Sequence, residues 1–142
     1  MAIVLHLIQN RPFRWIVALS WTAFMTIMLV QPENHQIIST GIPPAPPSFG
    51  REVLFTTGHL VGFSITCAVW FWAWFGHLSL VNSLVISITS TVIFGSITEY
   101  LQAYSPERSP SLFDFLANCV GALFIAFIIW KKQSDVTRLN TQ

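Results

Sequence analysis

Charged side chains are scarce in this chain, and from Val53 to Thr98 they are missing altogether. Of its 142 residues only 9% are Asp, Glu, Lys or Arg, against about 25% in soluble domains. With 53% hydrophobic residues, this is the make-up of a membrane protein. A net charge of +1 supplies no basic face, which argues against a nucleic-acid partner. The two cysteines, Cys67 and Cys119, both sit in apolar runs and make neither a metal-type spacing nor a disulfide framework. No Ser-His-Asp or Cys-His spacing marks a nucleophile, and no His-Glu-x-x-His marks a local metal site. No cofactor or metal is implied. No small-x-small cleavage site follows the apolar run after Arg11 and Arg14, so that run reads as an uncleaved first span.

What is present is greasy sequence, cut by a few polar breaks. A bilayer core about 30 Å thick needs roughly 20 apolar residues per spanning helix. That requirement divides the chain into four spans, at about 13–30, 53–75, 80–104 and 112–130. The first closes at Gln31-Pro32. The break "FGHLS" separates the second from the third, Pro106 and Pro110 bracket the next turn, and Lys131-Lys132 close the fourth. The expected fold is therefore all-α: one integral membrane domain over 1–132, four transmembrane helices in a compact bundle, and a polar tail over 133–142. Residues 33–50 contain "GIPPAPPSFG", which reads as a stiff polyproline-like connector. Residues 1–9 are apolar but cut off by Arg11-Pro12, and fit either an interfacial segment or an extension of the first helix.

Basic residues favour the cytoplasmic side. Arg11 and Arg14 precede the first span, and Lys131, Lys132 and Arg138 follow the last, whereas loops 31–52 and 105–111 hold only Arg51 and Arg108. Both termini are thus expected in the cytoplasm and both loops outside. Trp15, Trp70, Trp72, Trp74 and Trp130 then sit toward the cytoplasmic ends, as an aromatic belt does.

This topology gathers the rare polar residues. At 1.5 Å per residue, His59, Glu99 and Asn118 lie about 8–9 Å below the outer surface on three different helices. Gln102, Arg108 and Asp114 lie above them, toward the mouth. Glu99 and Gln102, and Asp114, Asn118 and Gly121, each share one helix face. Ser83, Ser87, Thr91, Gly95 and Glu99 recur every fourth residue, while Gly58 and Gly62 flank His59. Small residues so spaced let helices approach closely in lipid, so Gly58, Gly62, Gly95 and Gly121 are candidate packing glycines. The polar groups are expected to face the bundle, pairing His59 with Glu99, and Arg108 with Asp114 or Glu99.

The stretch "EYLQAYSPERSPSLFDFLANCVGALF" resembles the VanZ-like family, with Glu-x-x-Gln, a short Arg-bearing loop and Asp-x-x-x-Asn-x-x-Gly. Glu99, Gln102, Arg108, Asp114, Asn118 and Gly121 fall at those places. "HLVGF" matches the family's His-x-x-x-Phe with His59 and Phe63. The family's Asp-Lys pair before that His is replaced here by Phe55 and Thr56. The resemblance covers the second to fourth spans. It implies a small multi-pass protein of the bacterial inner membrane, in a family named for a member linked to glycopeptide (teicoplanin) tolerance.

Three functions fit these residues. The first is a non-enzymatic envelope protein binding a lipid-linked cell-wall precursor, a glycopeptide or another lipophilic ligand at the outer leaflet. The second is an accessory subunit of a larger membrane complex, with the polar cluster as glue. The third is a small enzyme acting on a lipid headgroup. Without a nucleophile, binding is favoured over catalysis. A binding site implies a cavity between the second, third and fourth spans, in contact with membrane lipid. Arg108, with its planar fork, is the candidate for a phosphate or carboxylate.

Overall fold

The computed structural model describes residues 10–31, 48–104 and 111–139, with side chains as far as Asp135. Four helices account for nearly all of them: α1 (Arg11–Val30), α2 (Phe49–Trp74), α3 (Leu80–Gln102) and α4 (Leu112–Leu139). No strand occurs among the described residues. Each helix carries a stretch long and apolar enough to cross a membrane.

The helix starts have local causes. Pro12 lies in the first turn of α1, where a missing N–H leaves no bond unmade. Ser48, Ser79 and Ser111 each accept the backbone N–H three residues on, at 3.4, 3.3 and 3.4 Å. Because Ser48 is the cap, α2 begins at Phe49, a turn earlier than the charge pattern indicates. Arg51 and Glu52 are therefore helical rather than part of the loop, with Arg51 lying 5.0 Å over the Phe55 ring. At the other end α4 runs through Lys131-Lys132 to Leu139, into the expected polar tail. The sequence from Lys131 to Leu139 has no Gly or Pro to stop it. The proline-rich segment 32–47, residues 105–110 and residues 1–9 lie outside the described residues, and with them the readings made for each.

The pairings between helices fix an up-down-up-down order. Arg14 meets Trp72, Trp21 meets Thr66 and Met25 meets Gly62, so α1 and α2 are antiparallel. Thr56 meets Asp114, His59 meets Asn118 and Ser64 meets Gly121, so α2 and α4 run the same way. Phe63 faces Phe94 and Gly95 while His59 faces Glu99, setting α3 antiparallel to both. The α2–α4 interface is the most extensive. It is close because Gly121 lies directly on α2: a Cβ there would collide with the Leu60 carbonyl and reach within 3.0 Å of Ser64 Oγ. Gly95 similarly admits Phe63 and Asn118, and Gly62 admits the end of Met25.

Gly58 departs from expectation. It is exposed, and a Cβ there would meet nothing within 4 Å. Four residues advance about 40° around a helix of 3.6 residues per turn. That rotation takes Gly62 into the interface and leaves Gly58 outside it.

Helix α1 touches α2 and α3 but, among the described residues, not α4. Trp15 packs edge-on against Trp70 and Trp74. The indole N–H groups of Trp21 and Trp70 donate to Thr66 and Thr22 at 2.9 and 3.1 Å. The tryptophans near the end of α2 therefore form a seam between two helices. Large side chains such as Ile16, Val61, Val85, Ile93, Val120 and Phe124 face outward, the surface a lipid-embedded protein presents.

Candidate functional site

The polar residues collect where α2, α3 and α4 meet, at the end opposite the tryptophan seam. The α3 stripe Ser83, Ser87, Thr91, Gly95 and Glu99 is buried throughout. With no bulky side chain on this face, α2 and α4 come close enough for groups at its end to meet.

His59, Glu99 and Asn118 form the buried floor. Nδ1 of His59 donates to Oδ1 of Asn118 at 3.0 Å and lies 3.8 Å from Oε1 of Glu99. Phe63 stacks parallel to the imidazole, its ring centre 6.0 Å away. The two oxygens of Glu99 have different surroundings. Oε2 accepts the backbone N–H of Ser111 at 3.1 Å, which ties the end of α3 to the cap of α4. Oε1 is buried and has no hydrogen-bond partner among the described residues. One turn nearer the mouth, half-buried Asp114 accepts the Thr56 hydroxyl at 2.7 Å. His59, Glu99 and Asp114 each offer one ligand atom, and these atoms lie within 4.8 Å of one another.

The expected residues thus divide. His59, Glu99, Asp114 and Asn118 come together. Gln102 does not join them: it is buried, and its Nε2 donates to the Leu29 carbonyl at 3.0 Å, satisfying the C-terminal end of α1. It is a brace and does not line the mouth. Arg108 lies outside the described residues. Two participants went unrecognised in the sequence. Thr56 precedes His59 by three positions on the same face, and that spacing was the available signal. Ser111 contributes its backbone N–H, for which no side-chain pattern exists. Where the resemblance placed a charge pair, Phe55 lies under Arg51 and Thr56 holds Asp114.

The hollows that stand out among the described residues lie elsewhere, along the far end of α4 beside Phe127, Ile128, Lys131, Lys132 and Asp135. The polar cluster is instead tightly enclosed, with Asp114 and Thr56 as its half-buried rim.

No family model, no curated protein and no solved structure matches this chain. What the cluster can do follows from its groups. It presents carboxylate oxygens to whatever enters, and His59 Nδ1 and Glu99 Oε1, at 3.8 Å, lie beyond direct proton transfer and leave room for a group between them.

Proposed function

We propose that this chain is a multi-pass, VanZ-like membrane protein that binds a lipid-linked or lipophilic ligand by its headgroup. Its termini are cytoplasmic and its polar cluster lies at the end facing the outer leaflet of a bacterial inner membrane, enclosed but for the half-buried rim of Thr56 and Asp114. One observation carries this reading: Glu99 Oε1 is buried within the helices and bonded to nothing described there. An ionisable group inside a membrane is costly and by default serves a function. Among the described residues, the hydrogen bonds of the fold use the other oxygen. The asymmetry of positive charge supports the orientation, and the short step from Asp114 down to Glu99 suits a group hanging just below the membrane surface.

A second reading has its own observation. Ser111 N–H to Glu99 Oε2, Thr56 to Asp114 and His59 to Asn118 each join two elements, as glue in an accessory subunit does. The Glu99→Gln variant separates the two. It keeps an oxygen for Ser111 while removing the charge. Purified protein in lipid nanodiscs would be assayed for retention of a polyprenyl-linked sugar, alongside its unfolding midpoint. Ligand binding predicts retention weakened at least tenfold, about 1.4 kcal/mol, with the midpoint unchanged. A lowered midpoint with retention intact, or no retention by the parent protein, would establish the glue reading instead.

A further inference from the structure

We propose that His59, Glu99 and Asp114 form a binding site for one divalent metal ion, zinc by donor set, with a coordination position left open toward the mouth. The inference deepens the headgroup reading and rests on it for the occupant of that open position.

Geometry is the first argument. One imidazole and two carboxylates, from α2, α3 and α4, place their ligand atoms within 4.8 Å of one another. Bonds of 2.0–2.1 Å in a tetrahedral site set ligand atoms about 3.3 Å apart. His59 Nδ1 and Glu99 Oε1 are already at 3.8 Å, and small side-chain rotations close the rest. The second argument is the unsatisfied oxygen. The Glu99 side chain is nine-tenths buried, and its Oε1 lies 3.8 Å from His59 Nδ1 with no hydrogen-bond partner among the described residues. An ion between them gives that oxygen a partner.

Charge is the third argument. Among the described residues, the titratable groups acting on Glu99 are His59 and Asp114. Two carboxylates and a neutral imidazole carry two negative charges, which a divalent ion cancels. Two outer contacts are also those a metal site uses: Thr56 fixes Asp114, and Ser111 fixes the second oxygen of Glu99. To ligate through Nδ1, His59 moves its proton to Nε2 and exchanges the bond to Asn118 for the ion. Imidazole with carboxylates favours zinc over the all-oxygen sets of magnesium and calcium. Three protein ligands leave a fourth position, the pattern of sites that engage a further molecule.

The ion also changes what the site can hold. Bare carboxylates repel a phosphate. A bound zinc ion attracts one, so the same residues then accept the phosphate of a lipid-linked headgroup.

The test uses full-length, tag-free protein in detergent, stripped with EDTA and dialysed against Zn2+ alone. Bound metal is measured by mass spectrometry after desalting. One ion per chain is expected, with affinity at least tenfold weaker in Glu99→Gln and in Asp114→Asn. Lowering the pH should release the ion, since protons compete for all three ligands. Asp114 lies at the rim, so Asp114→Asn answers the question even if Glu99→Gln fails to fold. No stoichiometric ion, or an affinity unchanged in the two variants, overturns the proposal and assigns any binding to histidines elsewhere in the chain. The headgroup reading is scored separately by polyprenyl pyrophosphate retention with and without EDTA. Retention that survives EDTA in a chain that binds no ion overturns the metal site and leaves the headgroup reading standing; in a chain that does bind one, it overturns the ion's role in holding the headgroup. Loss of retention in EDTA, restored by Zn2+, supports both. A chain that holds neither ion nor lipid overturns both.

Discussion

Single residues divide here between those the fold uses and those it leaves unused, and the glycines give the cleanest contrast. Gly121 sits against the Leu60 carbonyl, so Gly121→Ala forces backbone to move at the widest interface. Overpacking of this kind costs about 1–3 kcal/mol. Gly58 faces open space, and Gly58→Ala should stay within about 0.5 kcal/mol of the parent. Unfolding both variants by titration with SDS in mixed micelles checks the pair. Equal losses would mean that Gly121 is not at the close approach described. Asn118→Ala removes the partner of His59 and should cost about 0.6–1.7 kcal/mol, the range for hydrogen bonds between membrane helices.

Among the elements, α1 stands apart. It contributes no side chain to the polar cluster, and polar contacts at Thr22, Trp21 and Leu29 hold it to its neighbours. Its amides are expected to exchange with deuterium before those of α2 and α4. The double change Trp21→Phe and Gln102→Leu should accelerate α1 further while leaving α4 unaltered; exchange mass spectrometry in detergent reads both. Uniform acceleration along the chain would show α1 to be integral to the rest.

The helices were legible in the sequence because a charge-free run has little alternative in lipid, and because "FGHLS" is the one polar break within the run from Val53 to Thr98 that is long enough to turn in. Their ends were less so. A serine cap at position 48 outweighs the charges of Arg51 and Glu52, and α4 continues past Lys131-Lys132 because nothing there breaks a helix. In the cluster, His59, Glu99 and Asn118 could be found by counting rise per residue, since ionisable groups are rare in such segments. Thr56 was signalled only by its three-residue spacing from His59, and Ser111 not at all, because hydroxyls and backbone N–H groups occur throughout the chain and only the fold selects among them. Gln102 was placed by its spacing from Glu99, yet a long side chain can turn aside to a neighbouring helix.

At the scale of the molecule, the proposed orientation makes the polar cluster an outward-facing feature. With Cys67 and Cys119 first changed to Ala, a cysteine introduced at exposed Ser48 should react with a membrane-impermeant maleimide in intact cells. One introduced at Gln133 should react only after lysis. The reverse pattern would turn the protein over and remove the outer-leaflet ligand from consideration.

His59 is synthesised 59 residues before the asparagine that receives its hydrogen bond. At 5–20 residues per second, that is a delay of roughly 3–12 s. During this interval α2 and α3 enter the bilayer with an imidazole and a carboxylate but without α4, whose Asn118 and Ser111 complete their surroundings. The half-made protein is thus at its most exposed late in biogenesis, and arrival of the last helix is the event that closes it. A chain truncated after α3 should be a preferred substrate for membrane proteases, whereas loss of α1 would leave the polar cluster's own helices complete.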